Sequence, residues 1–572
     1  MAIRVSTDSV AYFPGERVRV TIEASRGAEL VILRGSEVVE RRVLSEERVV
    51  EEVEVKEAGV YIARVVAGEE VEDAKFIVVE RLEHAPRIAI VFHDHQAPNY
   101  SPDGSIRESW AFEHIWNHEF KPYYEGGAYY VQAKLLGKWR IRMSLNLSPS
   151  LLKQWSDLLD RGVVIDRGGF YECVEPSDER AEMVKETLEM FKELARSGAV
   201  DVLTSFYSHP LAGYIADAYG WLDLLSHELR MGREVTEGVM GVEPRGAWLP
   251  EMSFSMKLLP ILEGEGVEYT VLDGINHFAG ALGEKDSVYQ LYALKSIKVF
   301  FRHTGISDLW SFKYSNVNNV GEAEAGARDL AIRIVAEAHI NKAEVLTIAL
   351  DGENWMVLPR PKPAAAVLLD KLLGYLRRAE ELGLIRLVKL CEVVDEIEPR
   401  LLVSVPSRSW RGGYEKWLSE RRRIQESIWR NVVEAYECFK ALQNAVGVTE
   451  EDVASLMHVV NSDHIWAEFA DEEFSAEWRR VLESRLEGVL SSIRIVGAKG
   501  HAVHVMNLLK KSVRVTIYRD SAASLTELKP GLNAIRVEGG VMRIVVRGWR
   551  REHQVGKPIL IRPKIEGGRQ AR

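Results

Sequence analysis

From residue 87 onward, short apolar runs alternate with longer stretches whose apolar positions recur at helical spacing. That alternation predicts a parallel sheet covered by helices. Strands are expected at IAIVF (88–92), IRMSLNL (141–147), VDVLTSF (200–206), GAWLP (246–250), YTVLD (269–273), KVFFR (298–302) and VLTIALD (345–351). Seven such strands suggest a barrel. Between them lie amphipathic segments such as SDERAEMVKETLEMFKELARSG, with Ser177 at its start and Gly198 at its end.

Before and after this region the pattern changes. Residues 1–84 show period-two alternation broken at Pro14-Gly15, Arg26-Gly27 and Ala58-Gly59, as in a small β-sandwich, and contain no tryptophan. With no aromatic platform of that kind for sugars, the segment reads as a packing or spacer domain. The barrel is expected over 85–400, followed over 401–491 by a helical domain that completes the substrate cleft. In it Thr449-Glu450-Glu451-Asp452 looks like a capping box. Short strands return over 492–572 and predict a second β domain.

Composition narrows the function. Lysine and arginine number 74 against 85 acidic residues, a formal charge of −11, and no basic run is present, which argues against nucleic acid as a partner. No secretory signal and no membrane-spanning run is evident, so a cytoplasmic protein is expected. Cys173, Cys391 and Cys438 are widely spaced and lie in no CxxC pair, which disfavours a disulfide framework or a thiolate metal site.

The chemistry is read from the residues just past the end of each barrel strand, because loops at the carboxyl ends of barrel strands build active sites. Those positions carry His93 and His95, His209, Glu251, Asp273, His303 and Asp351. Two carboxylates at two strand ends, Glu251 and Asp351, are the arrangement that retaining glycoside hydrolysis requires. Each could instead cap a helix or pair with an arginine, such as Arg245 for Glu251. The His93-Asp94-His95 cluster leaves open a metal-dependent deacetylase or mannosidase. Twelve of the fourteen tryptophans lie between Trp110 and Trp466, several beside candidate site residues, as for Trp248, Trp355 and Trp466. Aromatic faces pack against the apolar faces of pyranose rings.

These residues resemble glycoside hydrolase family 57. The likeness runs from about 87 to 490 and is carried by VFHDHQAPN, GAVDVLTSFYSHPL, GAWLPEMSFS, IALDGENW and NSDHIWAEF, in the family's order. FFRHTGISDLWSFKYS is similar to a further arginine-containing segment of the family. The resemblance implies a (β/α)7 barrel with an adjoining helical domain, metal-independent catalysis without a cofactor, and retention of configuration on an α-glucan partner. It implies Glu251 as nucleophile and Asp351 as acid/base. His93, His95, His209, Trp248, Asp273, Arg302, Trp355, Asp463 and Trp466 are the expected substrate contacts. The expected activity is that of an α-amylase or amylopullulanase, with a 4-α-glucanotransferase and a catalytically impaired glucan-binding barrel as alternatives. Two departures fall in substrate-binding positions. Ala97 separates His95-Gln96 from Pro98, and the fifth motif carries His464 and a single Trp466.

Overall fold

The computed structural model describes residues 3–499, 501–520, 522–537 and 540–561, so that 562–572 of the expected C-terminal β domain lie outside the described residues. The chain forms two compact units, one of residues 1–99 and 108–414 and the other of 100–107 and 415–572.

In the first unit seven parallel strands form a closed barrel: Arg87–Asp94, Met143–Leu147, Val200–Ser205, Gly246–Trp248, Tyr269–Asp273, Ile297–Arg302 and Val345–Asp351. Each pairs with its neighbour in chain order, and the last closes onto the first with Asp351 opposite His93. The second strand reads MSLNL, and all five residues are buried. Such two-sided burial is why these strands read as apolar runs and do not alternate. All seven expected strands are present, with ends shifted by two residues or fewer.

An additional short strand, Arg386–Val388, pairs in parallel with residues 87–89 of the first barrel strand. Arg400–Ser404 pairs with Tyr292–Leu294, an antiparallel neighbour of the sixth strand. The stretch after 400 therefore continues the barrel sheet, and regular helices of the following region begin at Glu415, later than the 401 expected from sequence.

Covering helices follow their sequence signals closely. Glu179–Arg196 is capped by Asp178, whose side chain accepts the Arg180 N–H, one residue after the expected Ser177. The helix Leu222–Met240 lies against the third strand at Gly232, where a Cβ would stand 1.9 Å from the Ser205 carbonyl oxygen. Only glycine permits that approach.

The N-terminal segment packs a three-stranded sheet against a five-stranded one. Alternate residues of RVRVTIE enter its core, where the Tyr61 and Phe76 rings stack with centroids 5.3 Å apart. It is fastened to the barrel helix Val320–Ile340 by Arg328, which donates to Thr7 Oγ1 at 2.7 Å, and by a Lys75–Asp329 ion pair.

In the second unit the helices Arg422–Ala445, Glu450–Val459 and Glu472–Ser491 pack together. The expected capping box is present, Thr449 and Asp452 bonding each other's backbone N–H. Strands from Ile493 onward form a three-stranded and a five-stranded sheet. Buried Glu437 joins them to the helices by accepting the N–H groups of Arg550 and Arg551.

Candidate active site

The carboxyl ends of the barrel strands place the candidate residues of the first unit around one mouth. Glu251 comes three residues after the fourth strand, in a single helical turn at Pro250–Met252. Its backbone is left-handed, with φ +55°, a costly conformation for a glutamate that neighbouring bonds must hold in place. The segment Ser407–Tyr414 supplies them. Trp410 donates its backbone N–H to the Glu251 carbonyl at 3.0 Å and its indole Nε1–H to Glu251 Oε2 at 2.7 Å. Asn276 in turn donates to the Trp410 carbonyl, and Tyr414 hydroxyl meets Ser253 Oγ at 3.0 Å.

His209 is also left-handed, at φ +62°. Its loop is fixed by buried Glu228, which accepts the Ser208 N–H at 2.9 Å and the Ser208 hydroxyl at 2.5 Å. Burial pushes the Glu228 carboxyl up to about 7. A nitrogen of His209 lies within 4.8 Å of a Glu251 carboxylate oxygen.

His93 connects this side of the mouth to the seventh strand. Its ring stacks on Trp248 at 4.8 Å, its Nε2 meets His209 Nε2 at 3.2 Å, and its carbonyl accepts the Gly352 N–H at 2.9 Å. His95 stacks on His209 with ring centroids 3.8 Å apart and bonds Ser148 Oγ through Nδ1. Burial, then the neighbouring His93, hold His95 well below the usual imidazole range. Asp351 ends the seventh strand half-buried, and its Oδ2 accepts from the Asn354 amide at 3.0 Å.

The three imidazoles offer nitrogens within 4.8 Å of one another, the donor set of a metal centre. The rings of His93 and His209, inclined by 9° with centroids 5.3 Å apart, point nitrogen to nitrogen. Lone pairs opposed in that way suit an N–H···N hydrogen bond, whereas chelation needs them to converge on one ion.

Asp273 and Arg302 are deeply buried and pair with each other at 2.9 Å. Asp273 Oδ1 accepts the N–H groups of Ile275 and Asn276, and Oδ2 also accepts the Thr304 hydroxyl. Trp355 is buried edge-on against Trp310, which packs on Phe92. In the second unit, half-buried Trp466 meets Trp417 edge-to-face at 5.0 Å, and Asp463 takes part in the turn where Asn461 Oδ1 accepts its N–H.

Sequence reading missed a buried polar group beneath this mouth. The carboxyls of Asp94 and Glu353 face one another with the Gln132 amide beside them, all almost wholly buried. Two ionised carboxylates cannot hydrogen-bond, so the contact requires a proton. Burial pushes Asp94 up to about 8, with the Asp351 charge adding to the effect. Burial, then Asp94 and Asp351, raise Glu353 well above the ordinary range. The folded state thus keeps a proton that the unfolded chain releases near pH 4, and wild-type stability falls as pH rises from about 4 to about 8. Asp94→Asn removes the share of this dependence that belongs to Asp94 and lessens that of Glu353, which its own burial still raises. Thermal unfolding across that window is expected to show the difference in midpoint moving steadily in the variant's favour; parallel curves would mean an ionised Asp94.

Asp94 and Glu353 stand inside the two motifs that drew notice for their neighbours. Asn146 had a visible signal, a lone amide in an apolar strand. Trp410 had none, because only the fold brings it to Glu251.

A closed barrel of seven parallel strands, with carboxylates at two strand ends and imidazoles between them, defines a (β/α)7 glycosidase-type enzyme. The family model of Glycosyl hydrolase family 57 matches residues 89–406, and the chain belongs to that family. Among solved structures, the GH57-type branching enzyme of the hyperthermophilic archaeon Pyrococcus horikoshii is similar at TM-score 0.51 and 17% identity, over 70% of this chain and 88% of that one. A GH57 branching enzyme from Thermococcus kodakaraensis, in complex with glucose and additives, is similar at TM-score 0.51 and 15% identity, over 71% and 90%. At these identities the likeness is one of fold. None of the curated proteins compared matches the chain. Among the described residues no helix is long and apolar enough to cross a membrane.

Proposed function

We propose that the chain is a retaining α-glucan hydrolase that cleaves α-1,4 glucosidic bonds, and α-1,6 bonds where a branched glucan presents them. A carboxylate oxygen of Glu251 forms a bond to the anomeric carbon as the glycosidic C–O bond breaks, and Asp351 gives its proton to the departing oxygen. Asp351 then takes a proton from water, whose oxygen displaces Glu251 from the same carbon. Both carboxylates are needed, and each returns to its starting state.

The observation that carries this reading is the hold on Glu251. Its left-handed backbone and its indole partner spend conformational energy on aiming one carboxylate into a mouth whose other rim ends in Asp351. His93, His95, His209 and Trp248 form the wall between them and are proposed as contacts to the reacting sugar.

Products from maltoheptaose and from pullulan, separated by chromatography beside the Glu251→Gln variant, test the proposal. Shorter sugars only are expected. Products longer than the starting sugar would make the enzyme a glucanotransferase or branching enzyme, and no turnover of either substrate by wild type would overturn the reading.

Trp410→Phe isolates the contribution of the indole. It keeps an aromatic ring but loses the bond to a charged group, worth about 1.5–3 kcal/mol, so kcat is expected to fall roughly 10- to 100-fold with a smaller change in KM. Unchanged kcat would show that Glu251 is aimed without Trp410.

A further inference from the structure

We propose that Asp273 and Arg302 are positioning residues for Glu251: they seat the segment Arg408–Trp410, whose indole aims that carboxylate. The proposal rests on the glycosidase reading only for what Glu251 does once aimed.

The two residues end neighbouring strands, Asp273 the fifth and Arg302 the sixth, and the parallel register sets them opposite one another. Arg302 Nε donates to Asp273 Oδ2 at 2.9 Å, its Nη1 donates to the Ala349 carbonyl at 3.3 Å, and its Nη2 lies 3.2 Å from Asp308 Oδ1. A buried guanidinium held at three points has its plane fixed. From this pair three ties run to the segment that holds Glu251. Asp273 Oδ1 accepts the Asn276 N–H at 2.7 Å, and Asn276 Nδ2 donates to the Trp410 carbonyl. The Asp273 backbone N–H donates to His277 Nδ1 at 3.1 Å, and burial keeps that imidazole neutral, pushing its pKa down to about 4. His277 therefore carries its hydrogen on Nε2 and donates it to the Arg408 carbonyl at 3.0 Å. The third tie is electrostatic: the guanidinium carbon of Arg302 lies 5.8 Å from the centre of the Trp410 ring.

The last tie acts on the group that holds the carboxylate. A cation over an indole face draws on the electrons of the ring, and the Nε1–H that Glu251 Oε2 accepts at 2.7 Å becomes a stronger donor. The Arg411 guanidinium also stands 5.3 Å from the ring, but Arg411 is exposed, and water weakens the pull of an exposed cation. The two hydrogen-bonded ties act on the backbone instead. Trp410 donates its own N–H to the Glu251 carbonyl, so a shift of Trp410 reaches the left-handed backbone of Glu251 as well as its carboxylate.

A double-mutant cycle in the full-length protein tests the route. Arg302→Lys keeps a charge beside Asp273 and gives up the planar fork. It is expected to lower kcat on maltoheptaose about tenfold with KM within about twofold of wild type, and to cost far less when Trp410→Phe has already removed the indole N–H. A rise in KM in place of the fall in kcat, or losses that add fully with Trp410→Phe, would overturn the proposal and make Arg302 a substrate contact or a plain structural pair. The Trp410 indole 15N–1H resonance, in deuterated protein labelled with 15N-tryptophan and assigned by its loss in Trp410→Phe, gives a reading without substrate. Arg302→Lys and the double variant Asp273→Asn with Arg302→Met, which leaves no unpaired buried charge, should both move it. A resonance unmoved by Arg302→Lys would sink the idea. Should the double variant not fold, Arg302→Lys decides it alone. Should wild type turn over no glucan, the hydrolase reading fails while the resonance still judges whether the pair acts on Trp410.

Discussion

Glu251→Gln and Asp351→Asn are each expected to lower kcat on maltoheptaose by about 10³-fold or more, with thermal unfolding close to wild type. Glutamine keeps the size of Glu251 and can still accept from Trp410, but a neutral amide is a poor nucleophile for the anomeric carbon. Asparagine at 351 keeps the bond to Asn354 within reach but has no proton to give to the leaving oxygen. The two losses should not add, because in the proposed mechanism both residues serve one double displacement and either gap stops it. Asp351→Asn should also differ by substrate. A glycosyl fluoride, whose leaving group needs no protonation, should still glycosylate Glu251 in Asp351→Asn and fail to do so in Glu251→Gln. Near-normal turnover of maltoheptaose by either purified variant would end the assignment.

The second large effect comes from a residue with no side chain. A Cβ on Gly352 would stand 2.2 Å from Asp94 Oδ1 and 2.5 Å from Gln132 Nε2, inside the packed layer that holds the protonated carboxyl pair. The Gly352 N–H is tied to the His93 carbonyl, so the chain cannot simply move outward. Gly352→Ala must displace either the pair beneath or its neighbours Asp351 and Glu353. Overpacking of this kind costs about 1–3 kcal/mol of stability. Because displacement near the reacting groups is amplified in rate, kcat is expected to fall about 10²-fold. Gly137→Ala, in the helix Ala128–Trp139 with open space around the added carbon, is the control and should match wild type. Full activity in Gly352→Ala would show that the layer yields freely.

How much was legible in the sequence depended on the physical signal each part carries. Barrel strands are buried on both sides, so they stand out as apolar runs with abrupt polar ends, and the residue at each end falls where chemistry is built. That is how Glu251, Asp351 and the histidines came to notice. The layer below could not be read in the same way. Asp94 and Glu353 sit beside more conspicuous neighbours, and their importance depends on facing each other across 259 positions of chain, a relation that only the register of Asp351 with His93 creates. Trp410 lies in an irregular segment with no periodicity, and a tryptophan there reads as one more packing residue. Asp273 and Arg302 show a related limit. Their positions suggest substrate contact, and the fold adds that they are bound to one another and to nearby backbone, a partnership no single-residue signal could announce.

The short strand Arg386–Val388 changes how the barrel comes apart. Residues 87–89 are paired on one side with 345–347 and on the other with 386–388, while 91–94 are paired with 144–147. The first strand is therefore laced along both edges for nearly its whole length, by segments drawn from opposite ends of the barrel sequence. Its backbone amides are released to solvent only when those distant segments part together, as one cooperative opening of the whole barrel. His93 and Asp94 thus ride on a strand that opens only with the barrel, and the loops beyond the strand ends can move without loosening it.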